Sequence, residues 1–187
     1  MKVNIIVAYC KNKGIGIKNE LPWKIKEDLA KFRKLTIGHG NNAIVMGKNT
    51  WQSLNLSYLK SRDNLILSTS LNIEKKIENN IIKSFENYTQ LKNFLVEKKY
   101  DEIWIIGGEK IYDYFLNNHD AESIVSNIYI TYIDKEFECD TFFPEINLNK
   151  FQFVSKEVFK TNNDFSLFNC IYERNKFFFT HHNKDYL

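Results

Sequence analysis

The sequence predicts an α/β fold built on a mostly parallel sheet with an antiparallel edge, and three observations carry that reading. Short, β-branched apolar runs suited to strands buried on both faces recur at residues 3–10, 43–47, 64–68 and 102–108. Between them lie segments with helical spacing or helix-start residues. The last third changes character: residues 126–133, 151–159 and 165–173 follow one another as strands, the final two alternating as an antiparallel pair would.

Each element follows in order. Val3–Cys10 is the first strand, bounded by the glycine-bearing loop KNKGIG. A helix over about 25–36 places Ile25, Leu29, Phe32 and Leu35 on one apolar stripe, and Asp28 falls inside that stripe. AIVMG (43–47) is a buried strand running into KNTWQSL, and NLILS (64–68) is another. Residues 75–80 are polar and of low complexity, which predicts a surface excursion before the strand IIKSF. Asn87 is placed to cap a helix carrying Leu91, Phe94 and Leu95. EIWIIGG (102–108) ends in two glycines and passes directly into a helix, EKIYDYFL. Residues 175–187 show neither period and read as a tail, docked or disordered, or as a linker to a further domain.

Bulk properties narrow the function. A chain of 187 residues with 43% hydrophobic and 26% charged residues suits one globular domain with a substantial core. Its formal charge of +3 is spread along the chain, so neither nucleic acid nor a membrane surface is indicated as a partner. Cys10, Cys139 and Cys170 are odd in number and widely spaced, which points to reduced core thiols. The four histidines lack zinc spacing, so no metal is implied. The start reads as a strand instead of a signal peptide, and no apolar run approaches about 18 residues. A cytoplasmic location is the default.

Four features carry possible chemistry. IIGGEKIYDYF joins a strand, a glycine turn and a helix start, an arrangement that offers backbone N–H groups to a pyrophosphate but also serves as a plain turn. It is not the G-x-G-x-x-G fingerprint. Lys48, Thr50, Ser68 and Thr69 follow two strand ends, where α/β folds open their ligand crevice, and suit a phosphate. Arg62 is either solvated or a bidentate carboxylate grip. Asp28 is the sharpest feature: a carboxylate on an apolar stripe is costly without partners, although acidic residues also stabilise first helical turns.

Taken in order and spacing, IIVAYCKNKGIGIKNELPW, the helix with Asp28 and Phe32, IVMGKNTWQSL, LKSRDNLILS, WIIGGEKIYDYF, IYITYI and DTFFP resemble the dihydrofolate reductase family over about residues 3–174. The resemblance implies NADPH-dependent reduction of 7,8-dihydrofolate to tetrahydrofolate, with hydride transfer to C6 and protonation at N5, in support of one-carbon metabolism and thymidylate synthesis. It implies a single reductase domain over 1–174 with an eight-stranded, mostly parallel sheet and an antiparallel C-terminal edge strand, flanked by helices.

By the same resemblance, Asp28 is the carboxyl of the pterin pocket. Thr131 bonds it, Trp23 holds an ordered water, and Leu21 sits beside the reacting rings. Ile6, Val7, Ala8, Leu29, Phe32, Leu54 and Ile106 form apolar walls that should raise the carboxyl's pKa by desolvation. Ser53, Leu59 and Tyr112 join them in binding substrate, and Arg62 clamps the α-carboxylate of its glutamate. For the cofactor, Lys48, Thr50, Ser68 and Thr69 match the region of the adenosine 2′-phosphate, and Gly47, Asn49, Leu67 and Lys83 are further cofactor-binding positions. Gly107 and Gly108, joined by a cis peptide, and the helix start Glu109, Lys110, Ile111 and Tyr112 lie against the pyrophosphate. Ala8, Ile15, Gly16, Asn19 and Ile106 border nicotinamide, with residues 15–23 a closing loop that Asp140 steadies.

The chain departs from the family twice. NLSYLKSRDN lacks the family's proline and glycine in the segment carrying Arg62, and Asn49 replaces a basic residue, leaving Lys48 as the main charge for the 2′-phosphate. Two other functions share parts of the pattern: a pyrimidine reductase of riboflavin synthesis, and the docking half of a fusion with thymidylate synthase.

Overall fold

The computed structural model describes residues 2–54, 58–159 and 165–175. The expected tail at 175–187 therefore lies outside the described residues from residue 176 onward. Among the described residues there are eleven strands and five helices. In order they are β1 (Lys2–Cys10), β2 (Gly14–Gly16), α1 (Lys26–Ile37), β3 (Ala43–Gly47), α2 (Lys48–Ser53), β4 (Asp63–Leu67), β5 (Glu74–Ile77), β6 (Asn80–Phe85), α3 (Tyr88–Lys98), β7 (Glu102–Gly107), α4 (Glu109–Asn117), α5 (His119–Glu122), β8 (Val125–Ile133), β9 (Thr141–Phe142), β10 (Phe151–Phe159) and β11 (Leu167–Arg174).

The main sheet has the order β10-β11-β8-β1-β7-β3-β4-β6-β5. Its centre is parallel, from β8 through β1, β7, β3 and β4 to β6, and antiparallel pairs close both margins. Nine strands replace the eight expected. The ninth is β5, in the segment read from sequence as a surface excursion. All four of its side chains are exposed, and it pairs only with β6, so main-chain bonds define it and no apolar signal was available. Glu78, at φ 54°, turns the chain back into β6. A second, two-stranded sheet joins β2 to β9, making the KNKGIG loop one side of a small ladder.

Strand alternation sorts the core onto two faces. Ile5, Val7, Ile103 and Ile105 meet Leu91, Leu95 and Phe115 on the α3–α4 side. Ile44, Met46, Ile66 and Trp104 meet Trp51 on the opposite side, where Phe32 and Leu35 of α1 also pack. The α1 stripe thus divides. Ile25 is buried with Trp23 and Cys10, whereas Leu29 is 50% exposed because its part of the stripe faces a cleft and not the core. Cys10 is buried, Cys139 and Cys170 are only partly so, and all three are free thiols.

A side-chain cap fixes the start of α3. Asn87 accepts from the Gln90 backbone N–H at 3.0 Å, while the Gln90 side chain accepts from Glu86 N–H at 3.2 Å. Asn87→Ala is expected to cost about 1 kcal/mol and to lower the thermal midpoint by about 2–4 °C, read by thermal denaturation. An unchanged midpoint would contradict the cap's contribution.

Candidate active site

The parallel strands β1, β3, β4 and β7 end on one side of the sheet, and a cleft of about 1430 Å³ opens there. Ala8, Gly47, Leu67 and Ile106 line it from those ends, so the crevice sits where parallel α/β sheets place ligands. Helices α1, α2 and α4 flank it, α2 through Lys48, Asn49, Thr50 and Ser53. α1 contributes Asp28, Leu29 and Phe32, and the start of α4 contributes Glu109, Lys110, Ile111 and Tyr112.

Asp28 lies partly buried at the α1 end of the cleft. Burial pushes its carboxyl above the usual carboxylate range, against a hydrogen bond from the Thr131 hydroxyl and the nearby Lys31 charge, which both act downward. Thr131, 3% exposed on β8, is set beside β1 by its register with Ala8. Trp23 is buried, and its indole Nε1 donor meets no acceptor among the described residues. The Tyr112 hydroxyl donates to the Ile6 carbonyl at 2.9 Å, tying α4 to β1 across the floor.

Arg62 is 4% exposed and lines the cleft beyond Phe32. Its guanidinium lies 5.7 Å from the Phe32 ring centre and donates to the Arg33 carbonyl at 3.3 Å. Burial, aided by the Arg33 charge, lowers its pKa to about 10, so it stays cationic at neutral pH. Its Nε is buried without a partner among the described residues, a donor left over for an anion.

The opposite half of the cleft is polar and glycine-lined. Gly107 and Gly108 are joined by a cis peptide, and no side chain caps α4. Gly107 has φ 101°, and a Cβ there would meet the Tyr112 ring at 2.5 Å, so the backbone passes where only glycine fits. Lys48 donates to Ser70 at 3.0 Å, and Ser68 lies 3.4 Å from the same hydroxyl, forming a small cationic and hydroxylic corner. Gly16, Ile15, Asn19 and Leu21 cover the mouth. Lys18 and Asn19, both with positive φ, make the tight turn between Ile17 and Glu20. Asp140 accepts from Lys18 N–H at 2.8 Å and donates its own N–H to Gly16 at 3.0 Å.

Nearly all residues named from the sequence border this cleft, including Val7, Asn49, Thr50, Ser53, Leu54, Leu59 and Thr69. Lys83 does not: it pairs with Glu74 of β5 at 2.7 Å, a strand the sequence did not reveal. Thr131 and Gly107 lie behind the lining, one against Asp28 and the other beneath Tyr112. Glu20, Lys24, Arg33, Glu86 and Thr141 line the cleft without having been named. Of these, Arg33 was within reach of the pattern, since it adjoins Phe32 and trails Asp28 by five residues on one helix.

An open crevice at the ends of parallel strands, apolar and acidic on one side and built of exposed backbone on the other, marks the class: α/β enzymes that bring a dinucleotide to a small organic substrate. The dihydrofolate reductase family model matches residues 2–174, and the chain belongs to that family. Dihydrofolate reductase of Drosophila melanogaster is 36% identical over 152 residues, covering 78% of this chain and 81% of that protein. The Staphylococcus haemolyticus enzyme is 35% identical over 176 residues, covering 93% and 96%. Dihydrofolate reductase from Enterococcus faecalis, solved with NADP(H), superposes with a TM-score of 0.74 at 25% identity over 93% of this chain and 96% of that one. The activity is NADPH-dependent reduction of dihydrofolate to tetrahydrofolate.

The Asp28 environment has a consequence for stability. Because its carboxyl is raised in the fold, the folded protein holds that proton more tightly than the unfolded chain. Stability therefore falls as pH rises from the ordinary value of 3.8 through the raised one, and the deficit is complete above it. Asp28→Asn is expected to raise the thermal midpoint at neutral pH, with the gain shrinking as pH is lowered toward 3.8. A midpoint at pH 7 no higher than the parent's would refute this sign.

Proposed function

We propose that Asp28 grips the pterin of dihydrofolate through its 2-amino group and N3 and delivers the proton to N5, while the substrate's glutamate carboxylate reaches Arg62. The observation that carries this reading is the Asp28 carboxyl, raised by burial, in the cleft lined by Leu29, Phe32, Leu54 and Ile106. Leu29, Phe32, Leu54 and Ile106 exclude water from the ring, and Thr131 keeps the carboxyl oriented by donating to it. The free Nε1 of Trp23 suits an ordered water carrying the proton between Asp28 and N5. Leu59 and Phe32 bracket the p-aminobenzoyl ring, and the unpartnered Nε of Arg62 faces its carboxylate.

The residues of the other half-cleft fit NADPH. The glycine pair at α4 admits a pyrophosphate to the backbone, and Lys48 with Ser68 and Thr69 offers a cation and hydroxyls to the 2′-phosphate. When bound there, NADPH supplies the hydride to C6. Ile15 to Leu21, tied down through Asp140, closes over the reacting rings. A cytoplasmic location is proposed for the reaction. Among the described residues no helix is long and apolar enough to cross a membrane.

Residues 1–174 are proposed as the reductase domain and 175–187 as a tail or linker. A bifunctional dihydrofolate reductase-thymidylate synthase of Paramecium tetraurelia is 31% identical over 85% of this chain but only 30% of that protein. A coding sequence continuing past Leu187 into a thymidylate synthase would make the segment a linker; a stop codon there would make it a tail.

Loss of nicotinamide absorbance on mixing protein, NADPH and dihydrofolate tests the assignment. Asp28→Asn is expected to slow hydride transfer about 10²–10⁴-fold at neutral pH with NADPH binding intact. A variant turning over at the parental rate would remove the acid role. Lys48→Ala is expected to weaken NADPH about tenfold, the loss of one charge-assisted contact, while NADH binding changes little. Equal losses for both cofactors in a fluorescence titration would reassign Lys48.

A further inference from the structure

Lys31 belongs to no role described so far, yet it sits one helical turn from Asp28 on the same face of α1. It is half-buried, an unusual place for a long cation. Its ammonium does not turn to solvent. It reaches across to the sheet, donating to Thr131 Oγ1 at 3.4 Å and to Asn169 Oδ1. Those two acceptors are cross-strand partners, Asn169 on β11 opposite Thr131 on β8, so the lysine spans both strands at the site where Asp28 docks.

The inventory of donors settles the direction of this chain of bonds. A threonine hydroxyl has one proton and two lone pairs, whereas an ammonium can only donate. With Lys31 occupying a lone pair, the Thr131 proton is left to point at Asp28, whose carboxyl the threonine draws downward. We propose that Lys31 is a positioning residue of the reduction: it turns the Thr131 hydroxyl onto Asp28 and, by its charge, holds the carboxylate in the ionised form that grips the pterin until a proton is delivered. This rests on the acid role assigned to Asp28 above.

The surrounding charges fit. Facing Lys31 are Asp28 on its own helix, Cys170 on β11 and Glu157 on β10, and Asp28 acts on it most strongly of the three. Lys156 of β10 bears on Cys170 from the far side, and the Tyr112 phenol of α4 faces Asp28. Burial draws the Lys31 ammonium downward, and the Asp28 and Glu157 carboxylates oppose it. Burial and Lys31 push Asp28 in opposite directions, so removing the lysine leaves burial less opposed.

The test pairs two readouts on Lys31→Met. Carbon-13 NMR of the Asp28 carboxyl in the free enzyme, assigned with Asp28→Asn, follows its titration directly, and single-turnover hydride transfer across pH follows its use. The carboxyl is expected to titrate at higher pH than in the parent. The falling limb of the rate profile is expected to move alkaline with it, raising the rate about threefold on that limb relative to the acid plateau. Lys31→Arg should restore both curves most of the way, and Lys31→Gln, if the methionine variant fails to fold, should show the same displacement. Loss of packing alone would lower the plateau without moving either midpoint. A carboxyl titration coincident with the parent's overturns the proposal. A displaced carboxyl titration with an unmoved rate limb upholds the Lys31 link and overturns the acid role of Asp28, which keeps the two readings apart.

Discussion

A carboxyl held partly out of water against the end of a parallel sheet is the constraint around which this molecule is arranged. Desolvation favours its protonated form, and the hydroxyl of Thr131 and the ammonium of Lys31 favour the ionised one. Desolvation is the larger influence, so the carboxyl rests above the usual carboxylate range, as the proposed acid role requires. The balance needs three elements at once: α1 to carry the acid and the lysine, β8 to supply the threonine, and β11 to anchor the lysine's far contact. Strand order explains how they meet, because β11 returns antiparallel beside β8 and brings Asn169 opposite Thr131.

The parallel centre of the sheet does the rest of the positioning. Strands that run the same way end together, and the loops leaving β1, β3, β4 and β7 assemble a single crevice from segments distant in the chain. Glycines appear where backbone must pass close to other groups: Gly47 against Ile111, and Gly107 against Tyr112. The small β2–β9 ladder fastens the loop bordering the cleft to the segment carrying Asp140, far along the chain.

Much of this was legible in the residues. Buried strands announce themselves through apolar β-branched runs, which located β1, β3, β4 and β7 closely, and Asn87 gave the start of α3 through cap chemistry. Asp28 stood out because it broke an otherwise apolar stripe. What escaped has a physical reason in each case. β5 has four exposed side chains, so no hydrophobic period marks it, and with it went the true partner of Lys83. The exposure of Leu29 was hidden because a stripe facing an open cleft has the same sequence signature as one facing the core. Lys31 looked like an ordinary helix lysine. Only the fold shows that its face of α1 looks onto two strands contributed from a hundred residues or more away.

One further property follows from α1 itself. The same rigid rod presents Asp28 near its beginning and, five residues on, the Arg33 carbonyl that steadies Arg62. With a rise of about 1.5 Å per residue, the spacing between these anchors is fixed by helix geometry and does not drift with the loops around it. On the substrate placement proposed above, α1 acts as a ruler laid along the bound molecule, checking head-to-tail length as well as the chemistry of each end. Compounds that satisfy only the head escape that measurement.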